Sequence, residues 1–340
     1  MQSRRDIVFG LLTASTASLA GCVAGGRSPE AIDLDEWPPP ERGDRLEFWS
    51  WEPYWGNQAR AFKHVGDLES ITRRMVPEHE QYRLLAGGET PDVLHFTSKQ
   101  FERAIEEGLV QPLPVDLLPS WPIEDDLHVH GMDFYERDGE YYGIPQTPMI
   151  QSLAYNRHEF DEPDTWGLLW DDSLEGRISM PAEPTLAGQI AALYTGQDPN
   201  DPDDLDGVAE ALAVQRPLLA TYWEEWHDCW TMFNNDELLA AVLPYTPMCL
   251  CSHDESPVRR TAPREGVLYS QVAFAIPEGA ANPHGALEFI DWGADFKTGT
   301  ELTWDADRWT LHHNRALDTE VRESYESIAD EIGIVPGPVE

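Results

Sequence analysis

One stretch, residues 142–156, constrains the fold more than any other, because two kinds of sequence meet within it. Pro145 and Pro148 remove two backbone hydrogen-bond donors, so Gln146 and Thr147 are predicted to form an irregular segment that a ligand can reach. The rest of the stretch consists of strand formers. We interpret it as a strand that leaves one compact unit and enters another, which creates a hinge and a cleft. A plain edge strand after a proline turn explains these residues equally well.

The first 21 residues are typical of an export signal. Arg4 and Arg5 form a twin-arginine pattern, and the apolar run after them is shorter than the roughly 20 residues that a bilayer span needs. The small residues before Cys22 resemble a lipoprotein cleavage box, which predicts that Cys22 carries a lipid. Residues 22–45 are rich in proline and acids and are predicted to be a tether. The alternative is a soluble secreted protein with a chance cysteine.

Acidic residues dominate the charge, because 62 Asp and Glu accompany only 23 Lys and Arg, for a net charge of −39. Such a surface repels phosphate, which makes nucleic acid and anionic membrane surfaces poor partners. We interpret the excess as adaptation to high salt, since screening shortens the range of self-repulsion. Low lysine with abundant acid also resembles halophilic archaeal proteins. Disorder is the alternative, but 41% hydrophobic residues support a folded core, and the length allows two domains.

The other three cysteines are Cys229, Cys249 and Cys251. Because three is an odd number, at most one internal disulfide is expected in an oxidising compartment. Neither the cysteines nor the histidines follow a zinc-binding spacing. The sequence therefore predicts no metal and no other cofactor.

Strands and helices alternate in the first part of the chain. The predicted strands are 46–51, 71–76 and 92–96, and the predicted helices are 57–65, 78–86 and 98–107. This alternation predicts parallel strands, and ligands of such sheets bind beyond the carboxyl ends of the strands. The loops 52–56 and 97–99 lie there. An Asp-Gly turn at 138–139 between aromatic residues predicts a hairpin.

Further elements are predicted after the pivot. They are helices at 184–195, 203–222, 286–292 and 320–332, and strands at 238–243 and 267–276. The last of these strands is predicted to cross back to the first unit. Two crossings would give two α/β lobes around a cleft.

Seven motifs follow one another in register, at 48–54, 87–93, 107–110, 138–145, 166–170, 174–180, and 265–277 with 282–290. Together they resemble the solute-binding proteins of ABC transporters of the spermidine/putrescine-binding type. The resemblance implies an α/β, periplasmic-binding-protein-like type II fold with two lobes, two crossover strands and a central cleft. The implied units are 46–148 with 276–318, then 149–275, and a C-terminal helix in 319–340.

Nine residues are predicted to line the cleft, from strand ends and from the hinge. They are Trp51, Tyr54, Trp55, Ser98, Gln146, Glu183, Tyr245, Tyr269 and Gln271. Trp51 and Tyr54 match positions that polyamine binders of the family line with rings, which suit stacking on alkyl chains or cationic nitrogens. Aromatic residues are also common in cores, so a core position stays open for Trp51, Tyr54 and Trp55.

The charges around the predicted cleft differ from those of polyamine binders. Gln271 lies near a position where such relatives carry an acid, and Glu183 is the only near candidate for their second acid. Lys99 lies in a loop where they often carry an aromatic residue, and a cation there would repel a polyamine. A zwitterionic or singly charged solute fits these residues at least as well.

The resemblance implies a substrate-binding lipoprotein of an ABC importer, without enzymatic activity. Its expected partners are a small organic solute, a membrane permease and its own lipid anchor, and it is expected to be a monomer on the extracellular face of the membrane. The alternative is a lipid-anchored extracellular hydrolase that uses a pair of carboxylates. No nucleophile, phosphate-loop or metal motif supports this alternative.

Overall fold

The computed structural model describes residues 32–39, 42–51, 55–122, 134–224, 226–245, 256–294 and 309–339. Strands and helices alternate at its start: β1 Arg45–Ser50, α1 Trp55–Val65, β2 Ser70–Met75, α2 Glu78–Ala86, β3 Leu94–Thr97 and α3 Ser98–Glu106. A 3-10 turn and a hairpin follow: Val115–Leu117, β4 Glu136–Arg137 and β5 Glu140–Tyr141. The hairpin turn has positive φ at Asp138 and Gly139, of 56° and 85°, as an Asp-Gly turn requires.

The middle of the chain contains ten elements. They are β6 Ile144–Asn156, 3-10 turns Trp166–Trp170 and Asp172–Leu174, β7 Ile178–Pro181, α4 Pro184–Tyr194, α5 Leu205–Gln215, a 3-10 turn Arg216–Leu218, β8 Leu219–Trp223, α6 Trp226–Asn234 and β9 Ala240–Tyr245. The remaining elements are β10 Val258–Thr261, β11 Val267–Ala275, α7 Pro283–Ala294, β12 Leu311–His313, α8 Thr319–Ile332 and β13 Gly337–Pro338. Within the described ranges, no helix is long and apolar enough to cross a membrane.

The long helix predicted at 203–222 is wrong. The helix ends at Gln215, and Pro217 lies in the 3-10 turn that follows, where its missing N–H cannot continue an α-helix. The next five residues form β8, which pairs in parallel with β7. The β-forming residues there fit a strand in a half-buried sheet better than a helix.

The first lobe consists of β1–β5, α1–α3 and α7. Its strands β1 and β2 are parallel, as predicted, and β1 also bridges in parallel to the residue before β3, through Phe48 and Val93. Strand β3 then pairs antiparallel with β11. Phe48 and Phe289 lie in one buried cluster, so α7 packs its apolar side against this sheet. Burial of these rings stabilises the lobe through the hydrophobic effect.

The second lobe consists of β7–β10, β13, α4–α6 and α8. Its strands run in the order β6, β9, β7, β8 and β13. Helix α4 is its central helix, because every residue from Thr185 to Leu193 is buried. A helix that is buried all round belongs inside a core rather than on a surface.

Strands β6 and β11 connect the two lobes and pair with each other antiparallel. The register shifts where Val272 pairs with Thr147 and Ala273 pairs with Pro145, which makes Gln146 the extra residue of a β-bulge. The irregular segment predicted around the two prolines is therefore part of a continuous 13-residue strand. The edge-strand alternative is also wrong, because β6 pairs on both sides, with β11 and with β9.

The chain passes between the lobes a third time after β12. Strand β12 pairs in parallel with β11, and α8 then packs against α4 and α5 of the second lobe. The Tyr325 side chain on α8 is 1% exposed, lies over Gly188, and donates a hydrogen bond to the Pro199 carbonyl at 2.9 Å. The terminal helix predicted at 320–332 is confirmed, whereas the residue boundaries predicted for the lobes stay a prediction.

Candidate functional site

The cleft side of the first lobe is built from the carboxyl ends of β1 and β3. Trp51 follows β1 directly, and Ser98 begins the helix after β3. The two strands lie side by side in the same direction, so these ends meet at one edge, where open α/β sheets bind ligands. Trp51 is half-buried, and its indole Nε1 has no hydrogen-bond partner among the described residues. That N–H is buried, at the carboxyl end of β1.

His95 forms the surface on which Trp51 stacks. The two rings lie 5.8 Å apart at 20° between their planes, and His95 is 1% exposed. Its Nδ1 lies 3.3 Å from the Ser50 hydroxyl. Burial, and secondly the charge of Arg73, lower the pKa of His95 to about 3. His95 is therefore neutral near pH 7, so Trp51 stacks on an uncharged ring and not on a cation.

Trp55 lies in the core, not in the ligand-accessible loop predicted for it. It is the first residue of α1 and is 1% exposed, because its ring packs edge-on against Phe274 at 4.7 Å. The sequence predicted the helix to begin only at Asn57. The core alternative that stayed open for this residue describes its position. Tyr54 lies outside the described residues.

The hinge residues lie next to one another on β6 and β11. Tyr269 and Gln271 are both 0% exposed, and Gln146 is 8% exposed. The Tyr269 carbonyl accepts a hydrogen bond from the Asn314 N–H at 2.7 Å, and the Gln271 carbonyl accepts one from the Tyr135 hydroxyl at 3.0 Å. These contacts hold the crossing strands against both lobes.

Ser98 joins the hinge instead of pointing to solvent. It is fully buried, and its hydroxyl donates to the Asn314 carbonyl at 3.4 Å. The Asn314 side chain accepts a bond from Gln189 of α4 at 3.4 Å. Asn314 therefore links α3 of the first lobe with α4 of the second. No local sequence pattern marks this residue, because its partners are distant in the chain.

Glu183 supplies the acid of the second lobe. It is exposed, immediately precedes α4, and lies 3.3 Å from the ammonium of Lys99 on α3 of the first lobe. The Lys99 ammonium also donates to the Thr185 hydroxyl at 3.2 Å. Tyr245 is the last residue of β9, opposite Ile150 in the crossing strand. The structure thus connects Glu183 with the lysine that the sequence had suggested would oppose a cationic ligand.

A second carboxylate, that of Glu78, lies near the same ammonium. Glu78 is half-buried at the start of α2, and its carboxylate accepts the Thr97 N–H at 2.6 Å. The pKa of Glu78 is raised above its usual value, mainly by burial. The charge of Glu183 adds to this rise, whereas the bonds to Thr97 and the charge of Lys99 oppose it. The sequence predicted the helix that begins at this residue, but not the bond between its carboxylate and the Thr97 N–H.

The described part of the chain contains one cysteine, Cys229. Cys229 is a buried free thiol that donates to the Ser179 hydroxyl at 3.3 Å, and burial raises its pKa to about 12. Cys249 and Cys251 lie outside the described residues, as does Cys22. Over the described part of the chain, no group of three or more His, Cys, Asp or Glu residues could hold a metal ion.

Two α/β lobes, crossing strands between them and a polar cleft define the class of two-lobed, type II solute-binding proteins. Solved structures with this fold include a putative spermidine/putrescine ABC transporter protein of Listeria monocytogenes, with a TM-score of 0.70 and 18% identity over 86% of this chain and 99% of that one. A lipoprotein of Treponema pallidum gives a TM-score of 0.70 and 16% identity over 85% and 99%. Iron-bound HitA of Pseudomonas aeruginosa gives a TM-score of 0.62 and 16% identity, over 85% of this chain and 99% of that one.

The chain belongs to the family of bacterial extracellular solute-binding proteins, which residues 88–302 match. It is 23% identical over 216 residues to the spermidine/putrescine-binding periplasmic protein 1 of Haemophilus influenzae, covering 62% of this chain and 59% of the relative. It is also 23% identical over 252 residues to a putrescine/cadaverine-binding protein of Pseudomonas aeruginosa, covering 66% and 67%. The chain thus spans less than two thirds of the length of the Haemophilus influenzae relative. The resemblance to the spermidine/putrescine-binding type is confirmed.

Proposed function

We propose that this protein captures a small organic solute with a cationic nitrogen in the cleft between its lobes and delivers it to an ABC permease. One observation carries the proposal. Glu183 of the second lobe lies 3.3 Å from the ammonium of Lys99 of the first lobe, and Glu78 accepts the N–H of Thr97, two residues before Lys99. These groups lie at the strand ends, where Trp51 follows β1. Carboxylates from both lobes around a cation are the arrangement that a nitrogenous solute needs to bring the lobes together.

The proposed site keeps the nine predicted residues but gives them different parts. Trp51 and Glu183 would contact the solute, since both have exposed surface at the cleft. Trp55 and Tyr269 would not contact the solute but would support the site by packing, because they are buried. Tyr54 stays a proposed ligand-binding residue, and the others, Ser98, Gln146, Tyr245 and Gln271, would shape the hinge side. No step of bond breaking is assigned to any of them, and the protein is proposed to bind without catalysis.

The proposed location is the extracellular face of the membrane, with a lipid on Cys22 and a monomeric folded part. The support is the order of the twin-arginine pattern, the apolar run and the cleavage box in the sequence. Cys22→Ser should release the protein into the medium, which fractionation and immunoblotting would measure. Retention of this variant in the membrane would contradict the lipid anchor without affecting the cleft.

A thermal-shift screen tests the binding function. The mature protein, kept in molar KCl to screen its acidic surface, would be melted with putrescine, spermidine, betaine, thiamine and amino acids. At least one solute should raise the melting temperature in a saturable way, and mass spectrometry should find it unchanged after incubation. Conversion of the solute would instead support the hydrolase alternative. A folded protein that no solute stabilises would contradict the proposal.

A further inference from the structure

A lysine of the first lobe reaches across the cleft and bonds to the second. The Lys99 ammonium lies 3.3 Å from a carboxylate oxygen of Glu183 and 3.2 Å from the Thr185 hydroxyl. Lys99 lies in the first turn of α3, whereas Glu183 and Thr185 begin α4. The two lobes are therefore connected at the cleft by a cation that belongs to the protein itself.

The surroundings of this ammonium are built for a positive charge. Thr185 donates its hydroxyl proton to the same Glu183 oxygen that faces the ammonium, which fixes that carboxylate. The Glu78 carboxylate accepts the N–H of Thr97, two residues before Lys99, at 2.6 Å, which places it beside the start of α3. It interacts electrostatically with both Lys99 and Glu183. The Lys99 side chain is only 26% exposed. Its ammonium is thus held by groups of the second lobe rather than left in solvent.

The charges can be counted from these residues. Two carboxylates and one ammonium leave one net negative charge when both acids are ionised, so one further cationic group is balanced there. An ammonium has three donors, of which Glu183 and Thr185 use two. The third can reach a carboxylate or another acceptor on the solute. If the solute carried an ammonium instead of that acceptor, Lys99 would repel it as a like charge.

We propose that Lys99 determines specificity, by occupying one amine position of the cleft with its own ammonium. The cleft then selects a solute with one amine, whose other end is anionic or neutral, and rejects a diamine. This inference rests on the proposed function, that the cleft binds a nitrogenous solute. It assigns to this chain a preference opposite to the diamines in the names of its two relatives.

Two probes of equal length test this preference. Putrescine carries an ammonium at each end of four carbons, and 4-aminobutanoate carries one ammonium and one carboxylate. Isothermal titration in molar KCl should give wild type the lower Kd for 4-aminobutanoate. Lys99→Met keeps the length of the stem and removes the charge, so it should shift the ratio of the two Kd values by at least tenfold toward putrescine. A ratio that stays unchanged would overturn the inference.

Lys63→Met is the matched control, because Lys63 lies in the last turn of α1 and undergoes the same change of charge. This variant should keep the wild-type ratio, and a shift equal to that of Lys99→Met would assign the effect to net charge and overturn the inference. Lys99→Arg keeps the cation and should keep the preference. If Lys99→Met does not fold, as calorimetry would show, Lys99→Gln replaces it in the same comparison.

The proposed function and this inference fail in different ways. If neither probe binds but another solute stabilises the protein, the inference about Lys99 is wrong and the binding function stands. If both probes bind and Lys99→Met changes both Kd values by the same factor, the inference is again wrong alone. If no solute stabilises a protein that calorimetry shows to be folded, both are wrong.

Discussion

The two lobes present different chemistry to the cleft that they share. In the first lobe, the strand ends carry aromatic rings packed around a buried neutral histidine, with Trp51 outermost and Trp55 innermost. In the second lobe, the cleft side is the start of α4, with the polar side chains of Glu183 and Thr185. The buried residues of that helix are mostly small and aliphatic, such as Ile190.

This difference separates residues that build the cleft from residues that meet a solute. Rings are large apolar groups, so most of the described rings at the first lobe's strand ends are buried, whereas Trp51 keeps exposed surface. A polar group that is buried without a partner costs free energy, and Thr185 is buried with Glu183 and Lys99 as partners, whereas Glu183 stays exposed. We therefore expect substitutions in the first lobe to affect stability more, and substitutions in the second to affect binding more.

The largest effect is expected at the innermost ring. Trp55→Ala should lower the free energy of unfolding by about 3–5 kcal/mol, because it empties a packed aromatic site. Trp51→Ala should cost clearly less, since Trp51 is half-buried, but should weaken solute binding. Denaturant unfolding and titration calorimetry measure the two quantities. Equal destabilisation by both variants would remove the distinction between inner and outer rings.

The buried histidine predicts a pH dependence that belongs to the first lobe. The pKa of His95 is about 3 when folded and about 6.5 when unfolded, so protonation favours the unfolded chain. The neutral His95 therefore contributes to the stability of the folded state above pH 6.5. This contribution is lost as the pH falls toward 3, by about 1.4 kcal/mol per pH unit. Unfolding free energies between pH 6.5 and 4.5 should therefore decline more steeply in wild type than in His95→Gln. Parallel curves would show that His95 is not held neutral.

Two glycines allow the packing of the lobes to be compared directly. A Cβ at Gly143 would overlap the ring of Phe101 in the first lobe, and one at Gly188 would overlap the ring of Tyr325 in the second. Each glycine-to-alanine change should cost about 1–3 kcal/mol by overpacking. Tyr325→Ala in the same chain should relieve the penalty at Gly188 and leave that at Gly143. No relief would show that α8 does not dock on α4.

The smallest effect is expected for two tyrosine hydroxyls. Tyr135 donates to the Gln271 carbonyl at the hinge, and Tyr325 donates to the Pro199 carbonyl, away from the hinge. Replacing either tyrosine by Phe should cost about 1 kcal/mol, because one buried carbonyl loses its donor. Only Tyr135→Phe should also change solute affinity, since it contacts a crossing strand. An equal change of affinity in both variants would show that the bond of Tyr135 to the crossing strand has no particular effect on solute binding.

Local patterns in the sequence determined most of the elements. The Asp-Gly turn, the helix at 78–86 and the strand at 267–276 follow from turn chemistry and from the spacing of apolar residues over a few positions. The order of strands and helices, and the crossing at both ends of the middle segment, determined the two-lobed fold. These features depend on neighbours in the chain, which a sequence displays directly.

The tertiary structure alone decided which of the described site candidates are buried and which keep exposed surface. Trp55 turned inward because Phe274, more than two hundred residues later, completes its packing. Gln146 became a bulge because β11 pairs along both prolines, which local rules assign to a turn. Lys99 and Glu183 are 84 residues apart, and their contact exists only because two lobes face each other. Burial, pairing register and charge contacts arise between distant segments, so no local pattern specifies them.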